Sequence, residues 1–269
     1  MKPRQILLSL AVLGAAASFL APARLHAQIC LNSDYRGVYS ALVVGDFLQQ
    51  PPGFPPGPNA RLGRVESDGN GNATIHAILS FNGAIFTEDY DGLYTVNRDC
   101  TMDVTLFVLF PGFPDPIPFQ FRGMLADHYK EVALLLLNPP GTTFRILLRK
   151  QPKNFCTNND LKGSYLLNMS GDNVFVPYLS PGPAARVGKV IFDGAGTFKA
   201  NTNASYAGSV LEENFSGTYS VDAKCLFTLS YELQEPYQLT GMLMDNSEGA
   251  KLIQNQPQGM VITGTLAKE

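Results

Sequence analysis

Four cysteines divide this chain of 269 residues into two copies of one design. Cys30 and Cys100 lie 70 residues apart, and Cys156 and Cys225 lie 69 residues apart. Five motifs between the cysteines occur twice in the same order: RGVY at 36–39 and KGSY at 162–165, PGP at 56–58 and 181–183, RLG at 61–63 and RVG at 186–188, DGNG at 68–71 and DGAG at 193–196, and GLYTV at 92–96 and GTYSV at 217–221. The offset is 126 residues at the first cysteine, 125 from PGP onward, and 118 where GML at 123–125 matches 241–243. We therefore predict two tandem domains, at 28–150 and 151–269.

The first 27 residues are predicted to be a signal peptide. Lys2 and Arg4 form a basic start, an apolar run follows, and Ala27 offers a small residue for cleavage. The run is too short to cross a bilayer comfortably, and no other stretch is apolar for long enough. We expect a bacterial type of leader, a mature chain beginning near Gln28, a secreted or periplasmic location and no membrane span.

The even cysteine count of an exported chain indicates disulfides. Four cysteines allow three pairings, and the duplication favours Cys30–Cys100 with Cys156–Cys225, because each domain then carries its own bridge. Closing a loop of this size stabilises a fold by roughly 4 kcal/mol in the chain-entropy model. The alternative, a redox or metal site, lacks any C-x-x-C motif.

Charge and motifs exclude several classes of function. Without the leader, the chain has 17 Lys and Arg and 23 Asp and Glu, so its net charge is negative. Nucleic acid is therefore not an expected partner. The chain has no nucleophile elbow, P-loop or dinucleotide fingerprint. Asp68-Gly69-Asn70-Gly71 resembles the start of a calcium loop, but Ala73 and Leu79 stand where that loop needs Gly and Glu. We predict a turn there, no metal, no cofactor and no enzyme activity.

Strand signals fill both copies. Glycine and proline are frequent, and Phe227, Leu229, Tyr231 and Leu233 alternate with polar residues in the way of a strand with one wet face. Each copy has nine short strand candidates, among them 84–90 and 92–98 in the first copy. We expect two of the short neighbours to merge, which gives about eight strands in each copy. Sequential short strands joined by hairpin turns favour an all-β fold of two antiparallel up-and-down barrels, with a sandwich as the alternative.

The first strand of each copy resembles that of the lipocalin–calycin family. Gly37-Val38-Tyr39 and Gly163-Ser164-Tyr165 stand where lipocalins carry Gly-x-Trp, and this chain has no tryptophan. The resemblance implies a calycin-like barrel with an interior cavity, and an arginine over that aromatic. Arg145 or Arg149 is the candidate in the first copy, whereas the second copy has none and the closing helix of lipocalins is missing.

Equivalent charged residues suggest a site in or at the end of each barrel. Acidic residues cluster at Glu88 and Glu213, and arginines recur at 61 and 186. Three interpretations stay open: paired carboxylates for acid–base work, a bidentate Arg–Glu pair, or a solvated turn. The candidate interior or barrel-end residues are Tyr39, Tyr165, Arg61, Arg186, Glu88 and Glu213.

The two copies differ in polarity at matched positions. Phe107 and Leu109 stand where the second copy has Glu232 and Gln234; Ala133 and Leu136 stand where it has Lys251 and Gln254. Extra apolar surface usually lies under a cover. We predict an interface at Phe107 and Leu109, covered by the loop at 111–118, by the second domain or by a partner protein.

Three hypotheses of function follow. The first is an exported, non-enzymatic tandem barrel that binds a small hydrophobic ligand, since an eight-stranded barrel has room for side chains or one small ligand. The second is a structural or adhesive envelope protein with filled barrels that binds a protein through its first domain. The third, a barrel cyclase or isomerase, has no catalytic residues in this sequence to support it.

Overall fold

The computed structural model describes residues 29–49, 55–109, 114–151, 155–244 and 249–269. It confirms the predicted fold class: two closed antiparallel barrels, each of eight strands in sequential order. The predicted signal peptide lies outside the described residues. Within the described ranges, no helix is long and apolar enough to span a membrane.

Each barrel is a simple meander. The first contains β1 (Gly37–Phe47), β2 (Gly57–Ser67), β3 (Asn72–Phe81), β4 (Ala84–Val96), β5 (Thr101–Val108), β6 (Ile117–Ala126), β7 (Glu131–Asn138) and β8 (Thr142–Lys150). The second contains β9 (Gly163–Asn173), β10 (Gly182–Phe192), β11 (Thr197–Tyr206), β12 (Ser209–Val221), β13 (Leu226–Glu232), β14 (Pro236–Leu243), β15 (Gly249–Gln256) and β16 (Met260–Lys268). The two short predicted strands near 84–90 and 92–98 are one strand, β4, and β12 is its equivalent. β8 pairs with β1, and β16 with β9, so neither sheet has an open edge.

One end of each barrel is closed by the same device. A 3₁₀ helix, Asn32–Tyr35 or Asn158–Leu161, precedes the first strand. The side-chain oxygen of its first asparagine accepts a 2.7 Å hydrogen bond from the backbone of Val96 or Val221. The predicted disulfides, Cys30–Cys100 and Cys156–Cys225, are confirmed. Each links the segment before the 3₁₀ helix to the turn between β4 and β5 or between β12 and β13. No described cysteine is free.

The two barrels pack wall to wall. β1, β2 and β3 of the first barrel contact β14, β15 and β16 of the second, and a buried apolar cluster lies between the barrels: Ala60, Leu62, Met242, Ile253 and Val261. Ser80 Oγ donates to the Met260 carbonyl at 3.0 Å. The Gly259 amide donates to the Gly83 carbonyl at 2.9 Å. Gly83 has φ +80°, and a Cβ there would lie 2.4 Å from Gly259 Cα, so this crossing requires glycine.

The polarity contrast between the copies has a different meaning from the one predicted. Leu136 and Gln254 both point into their barrels and are buried, so that pair does not mark an outer face. Lys251 lies on the outer wall of β15, but the first barrel covers it, and its amine donates to the Ser40 carbonyl at 3.0 Å and to the Leu147 carbonyl. The second barrel therefore does not leave these positions wet.

Candidate functional site

The interior of the first barrel contains a cavity of about 70 Å³. Its wall is built from the inward-facing residues of all eight strands, because alternate residues of each strand point to the same side. Most of these residues are aliphatic or aromatic. The polar side chains on the wall are Arg61 and three tyrosines, Tyr35, Tyr90 and Tyr94. The cavity can hold about five water molecules by volume, or one small apolar molecule.

Arg61 forms the main polar group of this wall. Its Nε donates to Glu88 Oε2 at 3.1 Å, and Nη1 donates to Asn59 Oδ1. The Tyr90 hydroxyl donates to the same Glu88 oxygen at 3.1 Å, and the guanidinium lies 5.3 Å from the Phe144 ring centroid. The predicted pair of Arg61 with Glu88 is therefore present, and it lies within long strands rather than at a solvated turn.

The electrostatics keep this network in one protonation state. Burial alone would lower the pKa of Arg61, but Tyr90 and Glu88 outweigh it, so the pKa is raised and the guanidinium stays charged. Burial raises the pKa of Tyr90, which keeps its hydroxyl protonated as a donor. The wall thus presents a positive group whose charge is balanced by one adjacent carboxylate.

The interior of the second barrel is nearly full, with a space of only about 10 Å³ left beside Arg186 and Tyr206. Aromatic rings occupy the rest. The Tyr231 ring stacks on Phe215 at a centroid distance of 4.3 Å and on Tyr237 at 5.2 Å. Phe198 meets Tyr231 edge-on at 6.2 Å. These arrangements are the favoured geometries of aromatic pairs.

Arg186, the equivalent of Arg61, donates hydrogen bonds to two tyrosines of the second barrel and forms an ion pair with a buried glutamate. Nη1 donates to the Tyr231 hydroxyl at 2.6 Å, and Nη2 donates to the Tyr206 hydroxyl at 2.8 Å. Nε lies 2.9 Å from Glu213 Oε2, the predicted partner carboxylate. Burial lowers the pKa of Arg186, but the tyrosines and Glu213 outweigh that effect, so the pKa is raised.

Several substitutions distinguish the two interiors, and three of them are large. In the repeat alignment, with its offset of 125 residues, Ala73 is equivalent to Phe198, Ser67 to Phe192, and Leu106 to Tyr231. The strand registers agree, because Ser67 pairs with Ala73 as Phe192 pairs with Phe198. At each position the first barrel has the smaller side chain. Changes in the opposite direction, which include Tyr35 for Leu161, Phe144 for Ile262 and Ile146 for Gly264, fill the first barrel only in part.

Tyr39 and Tyr165 are fully buried near the closed ends. The Tyr39 hydroxyl donates to the Tyr129 carbonyl at 3.2 Å. The arginine that the lipocalin resemblance implied does not lie over this ring, because Arg149 pairs with Asp127 and Glu131 instead. Lys150 takes that place, with its amine 5.9 Å from the Tyr39 centroid, and Lys268 lies 5.8 Å from Tyr165. Both barrels therefore carry a lysine from the last strand over the first-strand tyrosine.

Phe107 and Leu109 lie on the outside of the first barrel, 40% and 62% exposed. The second barrel packs against β1, β2 and β3 and does not cover them, so that part of the interface prediction is wrong. Residues 111–113 of the predicted covering loop lie outside the described residues. The informative position is one residue away, at Leu106, because adjacent residues of a strand face opposite sides.

The remaining motifs form turns rather than sites. The Asn72 side-chain amide donates to Asp68 Oδ2 at 2.7 Å, and the backbone amides of Asn70 and Asn72 donate to Oδ1; together they lower the pKa of Asp68 to about 2. Asp193 accepts from backbone amides in the same way in the second barrel. Across the described ranges, no group of three or more His, Cys, Asp or Glu side chains could hold a metal ion.

Comparison with known proteins does not assign this chain to a family. No family model matches the chain, and no curated protein matches it in sequence. Among solved structures, it is similar to a DUF3598-family protein of unknown function from Nostoc punctiforme. That similarity has 12% identity and a TM-score of 0.24, covering 88% of this chain and 97% of the other.

The equivalence of Leu106 and Tyr231 could have been found from the sequence. The repeat alignment already pairs them, and the alternation of β13 places Tyr231 on the apolar side. The size of the cavity could not have been found in this way, because it depends on the combined volumes of side chains from eight strands.

Proposed function

We propose that this protein is an exported, non-enzymatic binding protein that holds one small apolar ligand inside its first barrel. The observation that carries the proposal is the cavity of about 70 Å³ in the first barrel, where the second barrel places stacked aromatic rings. The two disulfides support export, since such bonds persist in oxidising compartments.

The energetics favour a functional cavity over an accidental one. Core cavities cost about 24 cal/mol per Å³, so a space of 70 Å³ destabilises the first barrel by roughly 1.5–2 kcal/mol. The second barrel shows that the same strand arrangement can be filled with aromatic rings. A ligand that fills the first barrel would regain the lost contacts.

Toluene binding tests the proposal. We expect saturating toluene to raise the melting temperature of the full chain and to shift the NMR signals of Ala73 and Leu106. The matched control is Ala73→Phe, which copies Phe198 and fills the cavity, and whose melting temperature toluene should not change. Absence of both effects in the wild type would remove the basis of the proposal.

The outer wall of the first barrel favours a second candidate function, adhesion or binding of a protein. Four apolar side chains on β6, β7 and β8 are about half exposed: Met124, Leu135, Leu137 and Leu147. An exposed apolar patch often marks an interaction surface. Leu135→Glu with Leu137→Glu should then reduce self-association or surface adsorption, as measured by light scattering, and leave toluene binding unchanged.

A further inference from the structure

The second barrel shows what fits in the corresponding site of the first. Its Tyr231 side chain is a phenol ring held between Phe215 and Tyr237, with the hydroxyl on Arg186. All these side chains except the partly buried Phe215 are buried. The ring, its two stacking partners and the guanidinium together form a complete recognition site for a phenol, occupied by a residue of the protein itself.

The first barrel retains the frame of this site and lacks the central ring. Arg61 is the equivalent of Arg186, Tyr90 of Phe215, and Phe119 of Tyr237. All three first-barrel residues line the cavity, and so does Leu106, which stands in the place of Tyr231. Leucine is shorter than tyrosine and has no hydroxyl, so both the ring volume and the oxygen on the guanidinium are missing.

Arg61 also lacks two of the hydrogen-bond acceptors that Arg186 has in the second barrel. The hydroxyls of Tyr206 and Tyr231 accept from Arg186, and the equivalent residues in the first barrel, Phe81 and Leu106, have no acceptor. An arginine side chain has five N–H donors. Glu88 and Asn59 accept from Nε and Nη1 of Arg61, and the Tyr90 hydroxyl also hydrogen-bonds with this guanidinium. These three contacts use fewer than the five N–H groups of the side chain, so a further oxygen can accept from it.

We propose that the ligand of the first barrel is a small neutral phenol, whose ring lies between Tyr90 and Phe119 and whose oxygen accepts a hydrogen bond from Arg61. This inference rests on the proposed function and specifies its ligand class. Neutrality follows from the local charges, because Glu88 already balances Arg61 and a carboxylate ligand would bury a second, unpaired negative charge. The cavity accommodates a single ring rather than a polycyclic or long-chain lipid.

Phenol and toluene provide a matched pair of probes, because they differ only in a hydroxyl for a methyl group. We expect the full chain to bind phenol about tenfold more tightly than toluene in calorimetric titrations, since a hydrogen bond to a charged donor favours the oxygen. Benzoate should bind more weakly than phenol by a similar factor. Equal or tighter binding of toluene would overturn the phenol assignment and leave the proposed function standing. Failure of both probes to bind would overturn the two together.

Leu106→Tyr tests the location, because it copies Tyr231 and places a phenol in the site permanently. We expect phenol binding to fall below detection in this variant. Phe107→Tyr, one residue along on the outer face, is the control and should bind phenol as the wild type does. If Leu106→Tyr folds and retains wild-type affinity, the ring slot is wrong. If it does not fold, Ala73→Phe serves instead, and unchanged phenol affinity in that variant overturns the location equally.

Discussion

The two barrels share strand order, disulfide position, closing helix and the Arg–Glu pair, yet one is hollow and the other is filled. The difference lies in several inward positions, which include Ala73 and Leu106 against Phe198 and Tyr231. A barrel backbone is maintained by its ladders of hydrogen bonds, so its interior can change without loss of the fold. The duplication thus gives each barrel a built-in control for the other.

The Arg–Glu pairs should differ most in how they tolerate the loss of one partner. Arg186→Met leaves Glu213 buried without its cation and should destabilise the second barrel by about 3–5 kcal/mol. Arg61→Met should cost the first barrel less, because the Glu88 side chain is 19% exposed against 9% for Glu213. Urea titrations of the two variants measure both costs. Equal costs would show that the more open interior gives Glu88 no better access to water.

Removing a large ring should give the second barrel a cavity like that of the first. Phe198→Ala copies Ala73 and should cost about 3 kcal/mol, by the usual range for large truncations in a core. Differential scanning calorimetry, with Val210→Ala on the exposed surface of β12 as the control, measures the loss. A cost below that of the control would mean that neighbouring rings collapse into the space.

Tyr231→Leu converts the central residue of the second site into its first-barrel equivalent. The variant loses a hydrogen bond to a charged donor and the stacking of the ring, so we expect a cost of about 2 kcal/mol. Added phenol should restore part of that loss in thermal denaturation, whereas toluene should restore less. A variant that phenol does not stabilise would show that the two sites are not equivalent.

The smallest expected effect concerns the contact between the barrels. Burial, and secondarily Arg149, lowers the pKa of Lys251 to about 7, with Glu131 acting in the opposite direction. An unfolded lysine keeps its proton to about pH 10.4, so above pH 7 the unfolded chain binds the extra proton. Stability should therefore rise between pH 7 and 8, by at most about 1.4 kcal/mol.

Urea midpoints at the two pH values measure this effect, and Lys251→Met, which does not titrate, is the control. The buried tyrosines act in the opposite direction only near pH 10 and above, where unfolded tyrosine ionises. The same slope in the control and the wild type would assign the effect to another group.

The sequence by itself determined the parts of this protein that depend on local pattern and on the repeat. Alternation of apolar and polar residues located the strands, Asp-Gly pairs located the hairpins, and the duplication paired the cysteines correctly. It also identified Arg61 with Glu88 and Arg186 with Glu213 as equivalent pairs. These features are recoverable because period and spacing are properties of one strand or one turn at a time.

Only the tertiary structure decided which polar residues are buried and which barrel is hollow. Lys251 resembles a solvated lysine in the sequence, and it is buried because another domain packs on the outer wall of its strand. Phe107 is apolar, as an interface residue would be, but it is exposed to solvent. Leu106 beside it lines the cavity. The packing between the two barrels and the volume of the cavity depend on residues from many strands at once, so the pattern of one strand cannot predict them.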